Sequence, residues 1–203
     1  MTAQAGVRTA GLRGAAPLAR EPGWWGMALF ILAEAVLFSL MLASYFYLMS
    51  DAPAWPPDGI AKPDLLLPGI DTVILLGSSI PMFWATASIA RGNRGQTSVA
   101  LVVAAVMAII FLAIQAYTLL NAEFSGRDSA YGSLYYTIEL THAAHLVVAL
   151  LLLAMALIRN LLGHFDRDHR LGIETTAMYW HFVDIVWIFV FLSLHISPYV
   201  FAP

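Results

Sequence analysis

Apolar residues in this chain come in five long, nearly unbroken runs, at residues 24–49, 69–90, 97–120, 133–159 and 173–197. A membrane-crossing helix needs roughly 20 mostly apolar residues, and each run meets that length. The runs are too long for strands and too continuous for amphipathic surface helices. A backbone in lipid must satisfy its own hydrogen bonds, so all five are expected to be helices. Glycine and proline cluster between them, most densely in "DAPAWPPDGIAKPDLLLPG" at 51–69, where Trp-Pro-Pro cannot continue a helix and predicts a rigid turn. The pattern predicts an all-α integral membrane protein with five transmembrane helices over residues 24–203. Residues 1–23, rich in small residues, are expected to be a flexible tail; they do not resemble a secretory signal, because no short apolar stretch with a cleavage site follows.

The polar positions between the runs give an orientation. Arg8, Arg13 and Arg20, then Arg91 and Arg94, then Arg159, Arg167 and Arg170 fall in alternate connections, leaving only Lys62 and Arg127 for the others. Basic residues favour the cytoplasmic side. The expected topology therefore has the N-terminus in the cytoplasm and the C-terminus outside. Composition agrees with a lipid-embedded chain. Hydrophobic residues make up 60% and charged residues 11%, against about 25% charged in a soluble domain. The net charge of −3 gives no reason to expect nucleic acid as a partner. Cysteine is absent, which excludes disulfides, iron–sulfur clusters and thiolate metal sites within the chain. No phosphate-binding loop, dinucleotide fingerprint, nucleophile elbow or HExxH occurs.

Candidate chemistry lies in the ionisable residues within the oil: Glu34, Glu139, His142, His145, Glu174, His181, Asp184 and His195. A charge near the bilayer centre costs about 2.5–3.5 kcal/mol on insertion scales. Such groups should face other helices, be neutral, or meet water. At about 100° per residue, Glu174, His181, Asp184 and His195 share a sector of roughly 80° on the fifth helix, with Trp187 pointing almost the other way. Glu139, His142 and His145 spread over about 120° of the fourth. With Glu34 on the first helix, these three polar stripes could meet in one bundle. Glu139 and His142 form a Glu-x-x-His unit, but a di-iron bundle needs two such units and two further glutamates. Haem would need facing histidines, such as His142 or His145 with His181. Membrane histidines more often bond neighbouring helices than bind metal. Glu34 has no basic residue within the spans to pair with and is most simply carried neutral, bonded to a neighbouring helix or handling protons. Trp24, Trp25, Trp55, Tyr179 and Trp180 sit near helix ends, where most are expected to form an interfacial aromatic belt.

Several stretches are similar to a known family. "YWHFVDIVWIFVF" at 179–191 closely resembles the last-helix motif of cytochrome c oxidase subunit III. So do "GMALFILAEAVLFS" at 26–39, "WPPDGI" at 55–60, "YGSLYYT" at 131–137 and "THAAHLVV" at 141–148, in the family's order and spacing. The resemblance implies a non-catalytic subunit of a respiratory haem–copper oxidase in a bacterial plasma membrane. Such a subunit carries no haem or copper itself, these residing on partner subunits. It packs on subunit I near a proton-uptake entrance, alongside subunit II, and binds phospholipid. An accessory subunit of a nitric oxide reductase or of a quinol oxidase is the alternative, and a stand-alone membrane cytochrome or proton channel a third reading. The resemblance makes Glu34 the carbodiimide-reactive membrane carboxyl. It makes Arg159 and His164 contacts to a lipid headgroup, and Glu174 the acid preceding the last motif. His142 and His145 match its paired histidines. It also implies that His181 and Asp184 tie helices together. Three departures stand out. The family often has seven helices, and the first two, one wall of the lipid cleft, have no counterpart here. Gln115-Ala-Tyr-Thr118 lacks the carboxylate of the family's Gln-x-x-Glu. Glu139 occupies a usually apolar or small position, and a pairing with His142 one turn later is one expectation for it.

Overall fold

The computed structural model describes residues 21–57 and 59–201, so the expected tail at 1–23 lies almost wholly outside the described residues. The described chain is helical, with no strand. Helix α1 spans Pro22–Asp51, α2 Leu66–Gly77, α3 Ser79–Ala90, α4 Arg94–Leu120 and α5 Ala130–Leu161. Helix α6 spans Leu171–Phe191 and runs through a π turn at Leu192–Ile196 into the short α7, Ser197–Val200. Five of the resulting rods are long and apolar enough to cross a membrane: Pro22–Asp51, Leu66–Ala90, Arg94–Leu120, Ala130–Leu161 and Leu171–Val200. Each overlaps one expected run and extends it by a few residues at one or both ends. Local chemistry sets those ends. Pro22 opens α1 at the position where a missing N–H costs nothing. The Asn93 side chain accepts from Gln96 N–H to cap α4, and Ser129 accepts from Gly132 N–H to cap α5. Gly163, at φ 82°, ends α5 in the left-handed conformation that only glycine adopts at no steric cost.

Two spans are not uniform helices. The second breaks at Ser78. Pro81 has no N–H to bond Gly77, so one ladder bond is lost where α2 gives way to α3. Near the end of the last span, Ser197 N–H bonds Leu192 O, five residues back, and Pro198 cannot donate to Leu194. The extra residue in that turn swings everything beyond it by about 100°.

Helix α6 is the centre of the bundle, packed by α1, α2, α3 and α5, while α4 lies against α2, α3 and α5. Its Trp180 and Trp187 are fully buried. Ala100, Ala104 and Ala108 form a small-residue row on α4, also fully buried, which lets neighbouring backbones approach. Large apolar side chains such as Leu29, Val73, Ile80 and Ile109 point outward, as expected where lipid is the solvent. The aromatic belt is smaller than expected. Trp25 is exposed, but Trp55, Tyr179 and Trp180 are interior. Trp55 is drawn inward by the α1–α2 connection and packs edge-on against Tyr45 and Tyr131, at 5.3 and 5.2 Å between ring centroids.

Candidate functional site

The polar residues form three separate clusters rather than one. The first joins α1 to α5. Glu34 Oε2 lies 2.8 Å from His145 Nε2. His145 Nδ1 lies 2.7 Å from the Thr141 carbonyl oxygen, which can only accept, so that nitrogen carries hydrogen. Nε2 and the carboxyl therefore hold one proton between them, as imidazole with acid or as imidazolium with carboxylate. Phe38 covers the pair edge-on, 4.9 Å from the imidazole. Glu34 was expected to lack a basic partner; the fold brings it an imidazole 111 residues away.

The second cluster joins α6 to the break in the second span. Trp180 Nε1 donates to Ser78 Oγ at 2.9 Å. Ser79 Oγ donates to Asp184 Oδ2 and lies 3.1 Å from His181 Nδ1. Because that hydroxyl hydrogen goes to Asp184, His181 Nδ1 is the donor to Ser79. Phe83 stacks on the His181 ring at 4.3 Å. Two consecutive serines at the α2–α3 junction thus reach the same helix. One turn toward the other end, Trp187 Nε1 donates to Thr72 Oγ1 at 2.9 Å. Trp187 thus faces inward beside α2, and the polar stripe read for α6 covers less of its buried surface than the spacing implied.

The third cluster is the most enclosed. Gln115 Nε2 on α4 donates to Glu139 Oε2 on α5 at 2.5 Å. His195 Nε2, within the π turn, lies 3.3 Å from the Tyr135 hydroxyl and 3.9 Å from Glu139 Oε1. Asp71 on α2 lines the same space. Glu139 therefore reaches Gln115 rather than His142. His142 Nε2 donates to the Val183 carbonyl at 3.3 Å, and its ring sits among Phe38, Phe111 and Trp187. Glu139 and Thr118 border one cavity, so a carboxylate still reaches the place that Thr118 leaves uncharged.

The remaining candidates lie at the end of the bundle with the basic connections. Glu174 bonds Arg170 at 2.7 Å within its own first turn, not a neighbouring helix, because it sits where α6 begins and both side chains reach water. Arg159 is exposed at the end of α5, its guanidinium 5.2 Å from the Phe165 ring centre, and His164 is exposed in the following turn. There Asp166 accepts the backbone N–H groups of His169 and Asp168, which hold its carboxyl below the usual range. Among the described residues, no three His, Asp or Glu side chains gather into a metal-ligating set. Reading only charged and imidazole residues missed the neutral partners Thr72, Ser78, Ser79 and Gln115. Asp71, an acid inside an apolar run, was visible and was passed over.

Residues 7–199 match the family model described as cytochrome c oxidase subunit III. The chain belongs to the cytochrome c oxidase subunit III family. It is 36% identical over 178 residues to cytochrome c oxidase subunit 3 of Drosophila yakuba, covering 84% of this chain and 68% of that one. At the same coverage it is 37% identical to the Prototheca wickerhamii protein and 38% to that of Ornithorhynchus anatinus. The family's last-helix motif holds His181 and Asp184, which meet Ser79, and Trp187, which meets Thr72. Its paired histidines take different partners, His142 a backbone carbonyl and His145 Glu34. As a subunit III family member the chain is part of a haem–copper oxidase assembly and a multi-pass membrane protein.

Proposed function

We propose that this chain is the non-catalytic subunit III of a respiratory haem–copper terminal oxidase, bracing subunit I and supporting proton uptake during oxygen reduction. The observation that carries the reading is the family match across nearly the whole chain. The geometry supports a bracing role. Glu34, Glu139, His142, His145, His181, Asp184 and His195 each bond a side chain or backbone carbonyl of another helix, so these polar groups stiffen a scaffold. The Glu34–His145 pair supports a part in proton handling, since a carboxyl and an imidazole nitrogen face each other 2.8 Å apart at mid-span. Haem and copper belong to partner subunits in this reading. Subunit I is the direct neighbour and subunit II completes the core. Lipid contact is assigned to Arg159 and His164, where an exposed guanidinium can form a charge-assisted fork to a phosphate. The N-terminal end of α1 faces the cytoplasm, from the distribution of arginines. We assign the chain to a bacterial plasma membrane; the relatives named above are eukaryotic.

Affinity purification of the tagged full chain from gently solubilised membranes tests this. The expected product contains haem and copper from partner chains and reduces oxygen. A partner with haem and non-haem iron but no copper makes the chain an accessory subunit of a nitric oxide reductase. Recovery of the chain alone, with a haem spectrum of its own, overturns the reading.

A further inference from the structure

A cleft of about 320 Å³ opens beneath the α1–α2 connection, at the end of the bundle away from most of the basic residues, with Lys62, Asp64 and Glu123 along it. Thr118, Tyr135 and His195 line this cleft and also a much smaller cavity of about 10 Å³, which is closed by Asp71, Gln115 and Glu139. The smaller space is about the size that holds one water molecule. Four polar atoms on its lining residues have no hydrogen-bond partner among the described residues: Asp71 Oδ1, Gln115 Oε1, Glu139 Oε1 and His195 Nδ1. Each belongs to a residue at most 5% exposed. The cavity is thus rich in acceptors. Three of the four atoms are oxygens, and the Gln115 amide hydrogens already serve Glu139. No lysine or arginine lines it. Two carboxylates cannot both stay charged and unpaired in such surroundings, because nothing there offsets their desolvation and mutual repulsion. A bound water supplies two donors, and a proton on either acid supplies a third while removing one charge. Among the described residues no ligand set fits a metal ion there.

We propose that Asp71, Gln115, Glu139 and His195 form a proton-holding site. One proton is shared by Asp71 and Glu139 through a single bound water, and it exchanges with the aqueous phase through the Lys62–Glu123 cleft. The site is separate from the Glu34–His145 pair and opens at the end of the bundle away from most of the arginines. It does not depend on which catalytic core the chain braces.

Infrared spectroscopy of the full chain reconstituted in lipid tests it. The chain carries glutamate labelled with 13C at the side-chain carboxyl, in a Glu34→Gln background where Glu139 is the buried glutamate. The expected spectrum has a protonated-carboxyl C=O band with the isotope shift. That band moves on transfer to D2O and is lost as pH rises. Glu139→Gln removes it, and Asp71→Asn moves its titration midpoint. Ala122→Trp, which adds bulk to the outer cleft and leaves the four residues unaltered in identity, slows the D2O response several-fold. If Glu139→Gln does not fold, the labelled parent still decides. A Glu139 seen only as ionised carboxylate, or a protonated band that never exchanges, overturns the proposal. A titration unmoved by Asp71→Asn overturns the sharing.

Discussion

An acid buried among apolar helices is only as stable as the donor that reaches it. Asp184 depends on Ser79, and through that hydroxyl on His181. Asp184→Leu removes the acceptor and strands the serine and the imidazole. It should lower stability by about 1–2 kcal/mol, the scale of one interhelical hydrogen bond in a membrane. The midpoint of unfolding in detergent, and retention with an oxidase core, measure the loss; an unchanged midpoint would remove Asp184 from the packing account. Glu34→Gln behaves differently. An amide can still bond His145 Nε2, so the fold should persist, while carbodiimide labelling of α1 should vanish. Label still found on the α1 peptide of that variant would mean another carboxyl reacts. At this scale the sequence marks which groups need partners, because acids and imidazoles are conspicuous in oil. It does not mark the partners, because serine, threonine and glutamine are ordinary in membrane helices. Ser79 becomes legible only once its contact with Asp184 is seen.

Among the elements, the seams between helices are set by what fits without a side chain. Gly132, in the "YGSLYYT" stretch, sits where the α4–α5 connection passes over the start of α5. A Cβ there would lie 2.5 Å from the Ser125 carbonyl oxygen, a backbone atom with little room to retreat. Gly132→Ala should therefore cost about 1–3 kcal/mol through overpacking. At Gly26 an added Cβ meets nothing within 4 Å, so Gly26→Ala should be neutral or stabilising by up to about 1 kcal/mol through helix propensity. Thermal unfolding of the two variants side by side checks the contrast, and equal midpoints would refute it. The helices themselves were predictable from run length, and their ends agree to within a few residues. The interruptions were not foreseen, though Pro81 and Pro198 are plain in the sequence. A proline shows that a ladder bond is lost, but only the packed structure shows which turn widens or kinks to absorb the loss.

For the molecule as a whole, the proposed orientation rests on arginine placement, and a chain without cysteine makes it easy to test. Arg127→Cys and Arg167→Cys each add one exposed thiol, at opposite ends of the bundle. In intact cells a membrane-impermeant thiol reagent should label the first and spare the second; the reverse pattern would invert the topology. Five spans, the family motifs and the candidate acids were determined by the sequence alone. Run length and the need of a backbone in lipid to bond itself are local properties, readable without knowing what lies alongside. Which polar groups meet was decided only by tertiary structure. Glu34 and His145 are 111 residues apart, Ser79 and Asp184 105, and Gln115 and Glu139 24. Each pairing depends on how two helices are rotated against each other, which no local property of either helix sets.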